Sequence, residues 1–373
     1  MEIPFLNKLS LGNGFALFKK GSQVLGVDLG SSNLKIVQLK KERRRILLET
    51  YGEIATGPYA GLQVGKNAHL LDEKVREMME DLMREAGSNA KEAIVSLPLR
   101  SSFVKVINLP IVSEEELKEA IPFEARKHIP VPTNEVVLNW LILPQGEFSK
   151  SEDEGFIKER KAQDVLLVAI HRDTIEKYQN IFRRTKLNVK AFEIEIFSYV
   201  RSILSKELYP SLLVDLGAQA TRFVIVDYGV IRMAHTLDRG SLELTDAISR
   251  SLGIEFDRAE RLKQDMGLSS RPEHKEIRNV IEPILDNIFS EGARVISEYY
   301  KKYGRPARKA YLLGGGALLG GIQDFGVSKF GIEVLLADPF SKVECPAFLK
   351  ETLSEIGPTF ATAMGAALRA IDE

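Results

Sequence analysis

The sequence has a single cysteine, Cys345, so no internal disulfide can form, and its five histidines show no metal-ligand spacing. It also lacks charge of one sign: 51 Lys+Arg stand against 52 Asp+Glu, a formal net charge of −1. Such a balance gives no global field to attract nucleic acid or anionic lipid. No apolar run approaches the roughly 18 residues needed to span a bilayer. The first twenty residues, MEIPFLNKLSLGNGFALFKK, are broken by Lys8, Gly12 and Gly14 and lack a signal peptide's apolar core. These absences predict a cytoplasmic protein with a loose arm over 1–20. Two nucleotide motifs are missing as well. GLQVGKN at 61–67 has the wrong spacing for a Walker A loop and no hydroxyl after Lys66. The glycine run at 314–321 fails the dinucleotide fingerprint, which requires glycine where Leu319 stands.

What is present is an ordinary globular composition, 44% hydrophobic and 28% charged over 373 residues, enough for two or more domains with their own cores. The basic clusters at 40–45 and 183–186 read as solvated strand ends and helix faces. Within this chain one stretch occurs twice. VLGVDLGSSNLKIVQL at 24–39 is matched by LLVDLGAQATRFVIV at 212–226, so that Val27, Asp28, Leu29, Gly30 and Lys35 align with Val214, Asp215, Leu216, Gly217 and Arg222 at a constant offset. Each copy reads as an apolar strand ending in Asp, a polar turn with Gly, and a second strand with alternating apolar residues.

The tip of such a hairpin suits a phosphate. Consecutive turn N–H groups form an anion-binding concavity, and glycine lets the backbone approach the oxygens. The candidates are Gly30, Ser31, Ser32, Asn33 and Lys35 in the first copy, and Gly217, Ala218, Gln219 and Ala220 in the second. Asp28 and Asp215 are the candidate metal carboxylates. Facing each other across a gap of about 6 Å at an effective dielectric near 20, they repel by a few kcal/mol. A hydrated Mg²⁺ between them and the phosphates reverses that sign, and Mg²⁺ typically takes only one or two protein carboxylates.

The remaining pattern fills in around the hairpins. Residues 46–54 predict a further strand, and 72–86 an amphipathic helix with Val75, Met78, Met79, Leu82 and Met83 inward and Gly87 as its stop. From 90 to 190 the texture is that of a small α+β module without a catalytic cluster, which reads as a docking surface. It contains strands around Pro98 and Pro110, a helix capped by Ser113 and Glu116, a strand at Trp140, a charged loop over 146–161, and a strand–helix–strand over 164–195. A helix near 196–205 leads to the second hairpin, whose third strand is followed by Gly240 and helices around 241–252 and 257–265. Glu260 and Lys263 share a face of the latter helix; they either bond ribose and base or form a plain ion pair. A long helix over 276–303 precedes KAYLLGGGALLGG, a strand running into a glycine turn. Gly314, Gly315, Gly316 and Leu318 there offer flat backbone as a third wall of the nucleotide site. The last helix is expected over 357–370, with Pro358 near its start and small residues for close helix crossing.

In this order the motifs resemble the actin-like ATPase superfamily of actin, Hsp70 chaperones and sugar kinases. VDLGSSNLKIV and VDLGAQATRFVIV resemble its two phosphate motifs, LLGGGALLGG its adenosine motif, the helix with Ala259, Glu260 and Lys263 its adenosine-contacting helix, and FATAMGAALRA its second connecting helix. The fold implied is α/β, two lobes each with a ribonuclease-H-like mixed sheet. SLPLRSSFVKVINLP, EEELKEAIPFEARKHIPVP and the unit at 164–195 are similar to the subdomain shared by the PilM family of type IV pilus assembly and by FtsA. The sequence ends directly after the connecting helix, without FtsA's linker and amphipathic helix, which inclines the resemblance to PilM. It implies a first lobe of 21–90 and 191–211, joined by the returning helix 357–371, an insert of 91–190 and a second lobe of 212–356. It further implies Mg-ATP held between the lobes and a scaffold under the inner membrane that binds the N-terminal tail of a PilN-like membrane protein. Other platform proteins, pilus motor ATPases and self-association are further partners on this reading. No residue that positions an attacking water stands out, so hydrolysis is at most slow. The alternatives are an FtsA-like filament-forming division protein and a small-molecule kinase on the same fold.

Overall fold

The structure, a computed structural model, describes residues 23–66, 70–111, 113–144, 162–205 and 207–372. The arm expected over 1–20 and the loop expected over 146–161 lie outside them. The chain opens with strands β1 (Gln23–Leu29), β2 (Asn33–Glu42) and β3 (Arg45–Ala55), then helix α1 (Asp72–Glu85) and strand β4 (Glu92–Leu97). The expected face of α1 is buried, Met78 and Met79 completely so, and Gly87 ends the helix at φ +64°. The methionines are therefore core residues.

Next come β5 (Ser102–Pro110), α2 (Glu114–Ala125), β6 (Val136–Ile142), β7 (Ala162–His171), α3 (Arg172–Arg183) and β8 (Asn188–Ile194). The capping box of α2 forms as expected: Glu116 N–H donates to Ser113 Oγ at 3.3 Å, and Ser113 N–H donates to Glu116 Oε2 at 2.9 Å. Helix α4 (Glu195–Ile203) crosses to β9 (Ser211–Leu216), β10 (Thr221–Asp227) and β11 (Val230–Leu237). The chain then runs through α5 (Ser241–Leu252), α6 (Phe256–Met266), α7 (Lys275–Tyr303), β12 (Lys309–Leu313), α8 (Ile322–Phe330), β13 (Glu333–Leu336) and α9 (Lys350–Asp372).

The repeat seen in the sequence is a repeat of whole sheets. One has the order β3-β2-β1-β4-β8 and the other β11-β10-β9-β12-β13. In each, the first three strands are antiparallel and the other two run parallel to the first. Register sets Asp28 opposite Lys35 and Asp215 opposite Arg222. A third sheet, β5-β7-β6, packs with α2 as the inserted unit.

The insert is narrower than the expected 91–190. Strands β4 and β8, near the two ends of that segment, hydrogen-bond into the first sheet, and α3 packs its Tyr178, Ile181 and Phe182 into the first lobe's core. Buried apolar strands flanking an insert look the same in sequence whichever sheet they join. The insert also touches the second lobe, where Arg232 of β11 donates to Pro144 O at 2.8 Å and stands 3.7 Å from Asp164.

Helices α4 and α9 cross between the lobes. A Cβ on Gly365 would overlap the Ser198 carbonyl, and one on Gly26 would overlap the Ala363 carbonyl, so the small residues of α9 do permit the expected close crossing. The helix starts seven residues before the expected 357, at Lys350, and holds Pro358 inside it. Pro358 has no N–H to donate to the Ser354 carbonyl, and its own carbonyl accepts from Gly314 N–H at 2.9 Å, tying α9 to the glycine turn.

Candidate functional site

The two hairpin turns close with the same bond. Gly30 N–H donates to Asn33 O at 3.0 Å and Gly217 N–H to Ala220 O at 3.1 Å. In both, a Cβ on the glycine would lie 2.9 Å from that carbonyl, which is why glycine stands there. Both turns line one cleft of about 600 Å³ between the lobes, within the usual range for small-molecule sites. Each turn is braced from behind. Thr56 Oγ1 donates to Ser32 O at 2.9 Å. Ser241 and Leu242 N–H donate to Gly217 O and Ala218 O, both at 2.9 Å. Gly240 packs so tightly under the second turn that a Cβ would be 2.5 Å from both carbonyls. Gly240 is thus placed behind the turn rather than among the residues lining the cleft. Arg100, in the 3-10 turn before β5, donates to Gln219 Oε1 at 3.2 Å across the lobes.

The cleft also brings together Asp28, Asp215, Ser31, Ser32, Lys35, Gly314 and Gly315. Asp28 accepts from Ser96 Oγ at 3.1 Å. Burial pushes its carboxyl above the usual carboxylate range; Lys35 opposes the rise and Asp215 adds to it. A buried carboxylate in that condition fits a hydrated divalent cation. Asp215 is different, because Arg222 Nη1 stands 3.0 Å from its Oδ2. Among the described residues no cluster of three or more His, Cys, Asp or Glu is arranged to hold a metal ion, so the fit to Mg²⁺ rests on one or two carboxylates plus water.

Of the residues expected to hold adenosine, Gly314 and Gly315 line the cleft, whereas Gly316 packs on Leu216 and Leu318 is exposed. Glu260 and Lys263 stand outside the lining. Lys263 Nζ donates to Glu260 Oε2 at 2.7 Å, to Thr245 Oγ1 at 2.8 Å and to Ser241 O at 3.3 Å, which joins α6 to α5. Burial lowers the Lys263 ammonium from its ordinary range, and Lys263 overcomes the burial of Glu260 to hold that carboxyl below the usual range.

Sequence reasoning missed Glu195, Arg100, Thr56 and Asp238 in the cleft, and Arg222 as a residue of the site in its own right. Glu195 opens α4, where an acidic residue favours the helix dipole, but nothing in the local sequence shows that it faces Arg222. Arg222 Nε lies 2.7 Å from Glu195 Oε1, and Leu99 N–H donates to the same oxygen at 2.6 Å. Burial pushes the Glu195 carboxyl up to about 7 against the pull of Arg222, with Asp215 adding to the rise. The folded value lies above the unfolded one, so the stability it contributes is full below about pH 4.5 and lost as pH rises through about 7. Thermal melts from pH 4.5 to 8 should therefore fall more steeply for the native protein than for Glu195→Gln; parallel curves would remove this assignment.

Comparison with known proteins places this geometry. The solved PilM–PilN type IV pilus biogenesis complex matches at 24% identity and a TM-score of 0.76, covering 93% of this chain and 98% of that one. The ethanolamine utilization protein EutJ from Carboxydothermus hydrogenoformans matches at 17% identity and a TM-score of 0.52 over 96% and 92% of the two chains. MreB 5 of Spiroplasma citri bound to AMPPNP matches at 12% and 0.51 over 93% and 95%. These likenesses show the actin-like ATPase fold expected from the two phosphate motifs. The family model described as type IV pilus assembly protein PilM matches residues 26–371. Since that match runs through both hairpins, the insert and the connecting helices alike, the chain belongs to the PilM family of type IV pilus assembly proteins.

Proposed function

We propose that the cleft binds ATP with Mg²⁺ and that the protein is a scaffold of the type IV pilus assembly platform at the inner face of the membrane. The observation that carries the nucleotide reading is the pair of equivalent turns, 30–33 and 217–220, facing one cleft whose third side is Gly314 and Gly315. Asp28 would hold the Mg²⁺ through water, with Asp215 beside it, and the metal would neutralise phosphate charge. Lys35 lies at the cleft on the strand behind the first turn. The Glu260–Lys263 pair fixes α5 and α6 at the adenosine side. The solved MreB 5 relative carries AMPPNP, a like ligand on the same fold.

The partner is a PilN-like membrane protein, whose N-terminal cytoplasmic tail docks beside the inserted sheet. The structural relative pairs PilM with PilN, and this insert exposes Phe123 on α2 and Ile111 after β5. Among the described residues no helix is long and apolar enough to cross a membrane; on this reading the membrane-anchored partner supplies the attachment. Mg-ATP at 100 times its Kd should stabilise by about 2.7 kcal/mol, a shift of several degrees in a melt. Mg-GTP is the control. No shift at millimolar ATP would overturn the nucleotide reading. Phe123→Asp should weaken binding of a PilN-tail peptide at least tenfold while sparing ATP binding; loss of both would join the two sites into one.

A further inference from the structure

The two copies of the hairpin use the basic residue opposite the aspartate differently. In the first, Lys35 pairs with Glu53 at 3.5 Å and Asp28 keeps the Ser96 hydroxyl. In the second, Arg222 bridges Asp215 and Glu195, and the side chains of all three are only 13%, 11% and 11% exposed while lining the cleft. A guanidinium carries five N–H donors in a planar fork. Nη1 donates to Asp215, Nε faces Glu195 as an ion pair without hydrogen-bond geometry, and Nη2 makes no hydrogen bond among the described residues. Gly217 of the second turn adjoins the same group, since a Cβ there would lie 3.5 Å from Arg222 Nη1. Glu195 does not depend on Arg222 alone, because the Leu99 N–H also serves it. The fork can therefore meet an anion on the turn without abandoning the acids. Lysine would have to gather all three contacts around one nitrogen, whereas the guanidinium spreads them over a planar fork.

We propose that Arg222 is a fixed cation of the phosphate site. It contacts a phosphoryl group seated on the turn 217–220, so that part of the nucleotide affinity requires no divalent metal. This rests on the reading of the cleft as a nucleotide site. The arrangement is asymmetric: the first-lobe carboxylate Asp28 takes the metal, and the second-lobe carboxylate Asp215 orients Arg222. The bond to phosphate is charge-assisted.

Titration calorimetry with ATP, in Mg²⁺ and in EDTA, tests this on the native chain and on Arg222→Met, Arg222→Lys and Asp28→Asn. The native protein should bind ATP in EDTA, more weakly than with Mg²⁺. Arg222→Met should lose about tenfold to a hundredfold in EDTA, the worth of a hydrogen bond to a charged group, and less with Mg²⁺. Arg222→Lys, which keeps the charge and is the variant to read if the Met variant does not fold, should fall between the two. Asp28→Asn should shrink the gain from Mg²⁺. Equal losses with and without Mg²⁺, or a native protein that binds only with Mg²⁺, would make Arg222 a brace for the two acids and overturn the proposal. A native protein that binds no ATP in Mg²⁺ would instead remove the nucleotide reading itself.

Discussion

Gly314→Ala is expected to cost the cleft at least about tenfold in ATP affinity and to melt several degrees below the native protein, whereas Gly315→Ala should melt normally and still bind poorly. Gly314 has φ 82° and ψ 170°, a region essentially confined to glycine, where another residue costs on the order of 1–3 kcal/mol. Its Cβ would also lie 2.6 Å from Asp215 Oδ1 and 2.8 Å from Leu216 O. Both neighbours are constrained, Asp215 by Arg222 and Leu216 by the β9 ladder. The turn would have to move, pulling on the Gly314 N–H bond to Pro358 O and so on α9. Gly315 is the contrasting case: it has no positive φ and its Cβ would meet nothing within 4 Å. Gly315 lines the cleft, so a methyl there adds volume at the cleft wall. Melts and calorimetry on the pair separate a backbone requirement from a ligand contact. Normal ATP affinity in Gly315→Ala would remove the glycine turn from the nucleotide wall.

Local pattern carried much of this architecture. Alternation and turn glycines placed the three antiparallel strands of each hairpin-bearing sheet and β12 before the glycine turn, and the constant offset between the two copies anticipated that Asp28 and Asp215 would face one cleft, as they do. Ser113 and Glu116 were legible because a capping box is written within four residues. What escaped was whatever depends on a second segment. The sheet that β4 and β8 join is decided by their parallel partners β1 and β4, far off in sequence. The start of α9 escaped because Pro358 reads as a first-turn residue, whereas it sits inside the helix, where its own carbonyl accepts from Gly314 N–H. Glu260 and Lys263 could be placed on one face, but only the fold shows Thr245 between them and the cleft left to others. Arg222 looked like a conservative counterpart of Lys35, and its reach to Glu195 exists only once α4 is docked.

The largest loss of stability is expected from Glu193→Ala. Glu193 of β8 is 2% exposed and lies where the two connecting helices meet. Arg201 of α4 stands 2.7 Å from Glu193 Oε1, Arg369 of α9 is 3.3 Å from the same oxygen, and Ser198 Oγ donates to Oε2 at 2.6 Å. Arg201 also donates to the Gly365 carbonyl at 2.9 Å, at the point where the helices approach most closely. Removing the carboxylate leaves two buried guanidinium groups without the anion they share, a change that costs on the order of 3–5 kcal/mol. In a chain of this size that corresponds to a fall of roughly 4–6 °C in the melting midpoint. The sign with pH follows from the same contacts. Burial alone would raise the Glu193 carboxyl, but Arg201 and then Arg369 outweigh it and hold the group below its ordinary 4.5. A depressed folded value means that the stabilisation is fully present above about pH 4.5 and drains away as pH falls through the lower folded value. Glu193→Gln, which cannot ionise, should therefore be less stable than the native protein at pH 7 and converge with it in acid. Because α4 and α9 are also the elements that cross between the lobes carrying the two hairpin turns, ATP affinity should fall together with stability in both variants. A native-like melt for Glu193→Ala would show that the apolar crossing of Gly365 against Ser198 holds the lobes without the ion cluster.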